Sequence, residues 1–137
     1  VFSGTEILRL FSKKKYCNEN ASIVFISSVM GELGQPGIVG YCGTKAAILG
    51  IVRASSLELA RRNIRVNAVS PGVVETPMSN SFFETLTDDN VGRIKAMHPL
   101  GIGKIEQITP SILFLLSNQS TWITGQNIII DGGYSVQ

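Results

Sequence analysis

Charge, histidine and cysteine are all scarce in this sequence, and each shortage removes a class of function. Charged residues make up 16% of the chain and sum to a net +2, too mild a balance for a nucleic-acid-binding protein. The one basic cluster, Lys13-Lys14-Lys15, reads as the solvated end of a helix. Histidine occurs once, as His98, and is assigned to packing or surface rather than to catalysis or ligation. The two cysteines, Cys17 and Cys42, make neither a metal-ligand cluster nor a disulfide framework, which suits reduced thiols in the cytoplasm. The longest apolar runs, such as Ile23 to Ile26 and Ile128 to Ile130, fall far short of a bilayer. No signal-peptide pattern, internal repeat or low-complexity linker is visible.

What is present is a 137-residue chain, 44% hydrophobic, enough for one small domain with a real core. It opens Val1-Phe2-Ser3-Gly4, in what reads as the middle of an element, so a truncated or cleaved product is expected. Ile7, Leu8, Leu10 and Phe11 sit at helical spacing within a helix over 5–15, followed by a loop at Asn18-Glu19-Asn20. Ser22 to Ser27 is a short β-branched and aromatic run, as expected of a strand buried on both faces. Val29 to Gly40, rich in glycine and containing Pro36, reads as loop, and Tyr41 to about Arg62 as helix. Arg65 to Val69 is a second buried strand, ended by Ser70-Pro71-Gly72. A long, weakly periodic segment from Thr76 to about Gly103 precedes a helix over 108–117. A third strand, Gln126 to Ile130, ends in Asp131-Gly132-Gly133. This alternation predicts an α/β fold with a parallel sheet and right-handed crossovers. Ligands in such sheets bind beyond the carboxyl ends of the strands, so the chemistry is sought at Ser27-Ser28 and at Pro71 to Thr76.

Tyr41 and Lys45 stand four apart at the start of a helix, on one face and about one turn from each other. A phenol with an ordinary pKa near ~10 is a poor base at neutral pH, whereas a neighbouring ammonium favours the phenolate and makes acid/base work accessible. Chance places a lysine four residues after a tyrosine often. Alone, the pair reads more readily as a half-buried aromatic opening a helix and a solvent-facing lysine. A third residue shifts that balance. Ser28 lies thirteen residues before Tyr41, directly after the buried strand, where a hydroxyl can meet a substrate oxygen. On its own it would be a strand-end serine capping a turn.

These segments resemble the short-chain dehydrogenase/reductase family. Ile23-Val24-Phe25-Ile26-Ser27-Ser28 followed by Tyr41-Cys42-Gly43-Thr44-Lys45-Ala46 looks like the Ser…Tyr-x-x-x-Lys core of that family. Arg65 to Gly72 with Val74 and Thr76, Pro99-Leu100-Gly101, and Gly125-Gln126 through Gly133 then follow in family order, so the likeness covers essentially the whole chain. The resemblance implies the C-terminal half of a Rossmann-type doubly wound parallel sheet, with three strands and helices on both faces. It implies Ser28, Tyr41 and Lys45 as catalytic residues and NAD or NADP as cofactor. Tyr41, Lys45, Pro71, Gly72, Val74 and Thr76 would be its contacts, and no metal is implied. Segment 77–107, with Met78, Phe82, Phe83 and Leu86, is expected to form a substrate-binding lid, although packing onto the domain explains those residues as well. The expected substrate is a small-molecule carbonyl or alcohol. A homodimer or homotetramer would assemble through helices 5–15 and 41–62 and strand 126–130, with neither nucleic acid nor membrane as partner.

The family's glycine-rich phosphate-binding turn is absent from the sequence, and so are its adenine-ribose acidic residue and its Asn-Asn-Ala-Gly stretch. Its further catalytic asparagine would fall at or just before Val1. Residues 1–137 are therefore expected to be a partial cofactor domain. The edge of the first strand would be unpaired, and the segment alone inactive and poorly stable. The loop at Gly34-Gln35, Arg61-Arg62-Asn63-Ile64 and Pro99-Leu100-Gly101 most resemble 3-oxoacyl-acyl-carrier-protein reductases and sugar- or polyol-type dehydrogenases, with Ile102 where such reductases often carry arginine. Rival readings are a non-catalytic relative and a non-redox lyase or epimerase. Turnover of a ketone panel followed by nicotinamide absorbance separates them from an oxidoreductase.

Overall fold

The computed structural model describes residues 2–16, 18 and 20–136, so the readings made at Val1, Cys17 and Glu19 lie outside the described residues. Along the chain come α1 (Phe2–Phe11), β1 (Ser22–Ile26), α2 (Val39–Ala60), β2 (Arg65–Pro71), α3 (Pro77–Phe83), α4 (Asp88–Ala96), α5 (Ile105–Leu116) and β3 (Asn127–Ile130). The three strands form one parallel sheet in the order β1-β2-β3, with Ser22 opposite Arg65 and Ala68 opposite Asn127. Among the described residues no helix is long and apolar enough to cross a membrane.

The period-two alternation of the strands sorts their side chains into two cores. Val66 and Ala68 of β2 pack with Leu8 of α1 and with Leu49, Val52 and Leu59 of α2, and Ile23 and Phe25 of β1 lie against the same cluster. On the opposite face Val69 packs with Ile108 and Leu115 of α5, joined by Val24, Ile128 and Ile130. Helices thus cover both faces of the sheet, as the resemblance implies.

β2 is buried from Arg65 to Ser70, so its polar side chains must be satisfied inside the protein. Arg65 donates to the carbonyls of Leu115 and Ser117 and to Ser120 Oγ, closing the C-terminal end of α5. Burial pushes its guanidinium pKa down. Asn67 accepts from the Gln126 amide (3.0 Å) and donates to the Ile123 carbonyl (2.9 Å), which fixes the chain that leads into β3. Ser70 donates to Asn127 Oδ1 (2.7 Å), and Asn127 Nδ2 donates to Glu32 beyond the end of β1 (3.1 Å).

Helix boundaries differ from the sequence expectation where capping decides them. α1 stops at Phe11, before the lysine cluster. The stretch read as loop after β1 contains a single 3-10 turn, Val29–Gly31, and the first two residues of α2. The weakly periodic segment holds two short helices. The side chains of Thr76 and Thr87 accept from Ser79 N and Asn90 N at their N-caps. α5 begins at Ile105, three residues ahead of the expected start, with Gln107 reaching back to the Lys104 amide (2.7 Å).

The chain closes on Asp131, whose carboxylate accepts from the amides of Gly133 (3.0 Å) and Ser135 (2.8 Å). Burial acts to raise its pKa, but these hydrogen bonds, chiefly those from Ser135, outweigh it and hold the carboxyl below its usual range. A depressed carboxylate pKa contributes stability above its unfolded value and loses it as pH falls through the folded value. Thermal unfolding followed from about pH 6 to about pH 2 is expected to show that acid loss, and Asp131→Asn to make the curve less steep. β1 pairs only with β2 among the described residues, leaving an uncharged five-residue outer edge. Residues 1–137 prepared alone are expected to self-associate, seen as concentration-dependent elution in size-exclusion chromatography; a monomer at all concentrations would contradict this.

Candidate active site

The carboxyl end of β1 runs into Ser27 and Ser28, both buried. Ser28 has extended backbone, and its Oγ accepts from the Met30 amide (3.2 Å), capping the 3-10 turn. That bond uses a lone pair and leaves the hydroxyl proton free to donate. Ser27 Oγ donates to the Lys45 carbonyl (2.9 Å), fastening the strand end to α2. Gly31 makes this contact possible. A Cβ there would lie 2.9 Å from Ser27 Oγ and 3.0 Å from the Lys45 backbone carbonyl carbon.

α2 starts at Val39 without a side-chain cap, which puts Tyr41 in its first turn and Lys45 one turn further. The Lys45 ammonium donates to the Ile26 carbonyl (3.2 Å) at the last residue of β1 and stands 5.7 Å from the Tyr41 ring centroid. It therefore stands between the strand end and the aromatic ring. Tyr41 is 47% exposed, so its hydroxyl is within reach of solvent. The positive end of the helix dipole and the ammonium both border the ring, a setting that favours negative charge on a bound oxygen.

Pro71 to Thr76 leave the neighbouring strand at the same end of the sheet, and nearly every amide of this turn is committed. Gly72 N donates to the Ile130 carbonyl (2.9 Å), Glu75 N to the Gly103 carbonyl (2.8 Å) and Thr76 N to Ser79 Oγ (2.9 Å). Val73 N donates to His98 Nε2 (3.2 Å). Among the described residues only the Val74 amide has no acceptor in this turn. Gly72 presses onto the closing segment so tightly that a Cβ would lie 2.9 Å from Asp131 Cα. A second strip of chain supports the turn from beyond: Gly103 N donates to the Val73 carbonyl (3.0 Å), and Leu100 N to the Gly132 carbonyl (3.0 Å).

The three segments at the strand ends are thus tied into one region. Ser28 and Lys45 are joined through Ser27 and Gly31, Tyr41 through Lys45, and the 71–76 turn through β2, Ile130 and Asp131. Sequence reasoning missed two supports. Asp131 was visible only as part of an Asp-Gly-Gly turn, and a lone histidine such as His98 carries no spacing signal at all. Asn67 did carry one, as a polar residue in the middle of an apolar strand. Cys42 is a free thiol on α2.

Residues 1–135 match the family model described as enoyl-(acyl carrier protein) reductase. The chain is 44% identical over 134 residues to the 3-oxoacyl-acyl-carrier-protein reductase FabG of Thermotoga maritima, an alignment covering 97% of this chain and 52% of that protein. It therefore spans about half the length of the curated relatives it matches. Among solved structures, a short chain dehydrogenase family protein from Francisella tularensis superposes with a TM-score of 0.90 at 32% identity, covering 100% of this chain and 59% of the other. A 4-hydroxyisoleucine dehydrogenase complexed with NADH does so with a TM-score of 0.85 at 31% identity, over 99% of this chain and 54% of the other. With its parallel sheet, its helices on both faces and a family match along nearly its entire length, the chain belongs to the short-chain dehydrogenase/reductase family.

Proposed function

We propose that this chain supplies the active-site half of an NAD(P)-dependent oxidoreductase that interconverts a carbonyl and an alcohol. The observation that carries the reading is the Lys45 ammonium, bonded to the last carbonyl of β1 and set beside the Tyr41 ring. The Tyr41 hydroxyl donates a proton to the substrate oxygen in reduction and withdraws it in oxidation. Lys45 stabilises the phenolate that remains and, with its other N–H groups, would hold the ribose hydroxyls of the cofactor. Ser28 donates its free hydroxyl proton to the same substrate oxygen, stabilising the charge that grows there. Tyr41 recovers its proton from solvent across its exposed side. When bound, the nicotinamide supplies or accepts the hydride. The free Val74 amide suits the ring's carboxamide, and Pro71, Gly72 and Thr76 would stand beside it in the same turn.

Two hydroxyls and an ammonium suit an oxygen that gains negative charge, as a carbonyl oxygen does when hydride adds to its carbon. Among such substrates the reading favours a 3-oxoacyl thioester, supported by the name of the Thermotoga maritima relative. Segment 77–107 then acts as the lid over the acyl chain. Met78 is 82% exposed and Phe82 49% exposed on α3, and that helix buries no residue of its own. The protein would act in the cytoplasm as a homodimer or homotetramer joined through α1, α2 and β3.

The test uses full-length protein, a series of 3-oxoacyl thioesters and other ketones, and nicotinamide absorbance. Tyr41→Phe is expected to lower kcat by about a hundredfold to ten-thousandfold and Ser28→Ala by about a hundredfold, both with the fold intact by circular dichroism. No turnover of any carbonyl by the unaltered protein, despite bound cofactor, would overturn the proposal. Gly31→Ala should lower kcat without touching any reacting group, because the added methyl forces Ser27 and Lys45 apart. A crystal structure of that variant would show the longer Ser27–Lys45 separation.

A further inference from the structure

We infer that His98 is a positioning residue for the turn from Pro71 to Thr76, an inference that rests on the reading of that turn as the nicotinamide contact. His98 is only 3% exposed and sits just beyond α4. Its two ring nitrogens have different partners. Nδ1 lies 2.7 Å from the Ile94 carbonyl, which can only accept, so Nδ1 carries the proton. Nε2 is then a lone-pair acceptor, and the Val73 amide donates to it at 3.2 Å. The ring packs against Tyr134, with centroids 4.8 Å apart and planes tilted by 33°, which limits its rotation. Its own carbonyl accepts from Gly101 N at 2.7 Å, in the strip that flanks the turn.

The place of this bond gives it its role. Val73 lies immediately before Val74, whose amide is the unpaired donor of the turn. Gly72 is fixed by Ile130 and Glu75 by Gly103. The Val74 N–H shares a peptide plane with the Val73 carbonyl, which accepts from Gly103 N, and His98 holds the peptide before it, so these two bonds together set its direction. Without the Nε2 acceptor the half-buried Val73 amide is left unpaired, and the turn gains freedom that cofactor binding must remove. The cost should fall on the nicotinamide end of the cofactor and spare its adenosine end.

The experiment measures that difference in the full-length protein. Calorimetric titration compares NADH with ADP-ribose, and NADPH with 2′-phospho-ADP-ribose, the second of each pair lacking the nicotinamide. His98→Asn keeps a donor at the Nδ1 position for Ile94 and removes the Nε2 acceptor. His98→Gln places an amide oxygen near the Nε2 position. In His98→Asn the affinity ratio of intact cofactor to truncated cofactor is expected to shrink by about three- to tenfold. ADP-ribose affinity stays at the unaltered level, and His98→Gln restores most of the ratio. Should His98→Asn fail to fold, His98→Phe, which keeps a ring against Tyr134, replaces it. An unchanged ratio in the acceptor-less variant, a parallel loss of ADP-ribose affinity, or no rescue by glutamine would each overturn the inference. A ratio of one in the unaltered protein would overturn the nicotinamide reading itself, a result distinct from the other three.

Discussion

Everything in this molecule is arranged around the burial of β2. The strand is paired on both edges and covered on both faces, so no polar group along it has access to water. Arg65, Asn67 and Ser70 must each find partners in the protein, and the partners they find belong to different elements. Arg65 fixes the end of α5, Asn67 the segment before β3, and Ser70, through Asn127, the loop that follows β1. A set of obligatory hydrogen bonds therefore carries the register of the central strand outward to both its neighbours. The site inherits its geometry from this, because Pro71 is the last residue of the same strand.

A second layer of support comes from chain that touches no reacting group. The strip from His98 to Gly103 and the closing Asp131 to Ser135 pack against each other and against the 71–76 turn. Their contribution is to remove freedom from the backbone of that turn, which carries the unpaired Val74 amide. The Asp131 carboxylate does this for its own turn, and the His98 ring for its neighbour.

The sheet was legible in the sequence because buried parallel strands read as unbroken β-branched runs. Ser22 to Ser27 and Arg65 to Val69 fall on β1 and β2 within a residue or two. But β1, expected to be buried on both faces, is only partly buried and exposes Ile26, since its outer edge has no described partner. The helices of the long middle segment were hidden. α3 and α4 are short and bury nothing fully, so no apolar stripe marks them, and only their threonine caps reveal where they start. At the site, the grouping of Ser28, Tyr41 and Lys45 at one strand end followed from spacing plus family likeness. What spacing does not encode is the contact of Gly31 with the Lys45 backbone or of His98 with Val73. Those depend on how separate stretches of chain meet.

The Lys45 ammonium is anchored to the last carbonyl of β1, and β1 is the strand whose outer edge has no described partner. Mechanically, the strand is a beam clamped along one side, with the cation fastened to its tip. Its stiffness is set by whatever lies along the open side. A strand laid there would damp the motion of the Ile26 carbonyl and, through a bond of 3.2 Å, that of the charge beside the Tyr41 ring. Whatever lies along that edge would therefore also set how firmly the cation beside the Tyr41 ring is held.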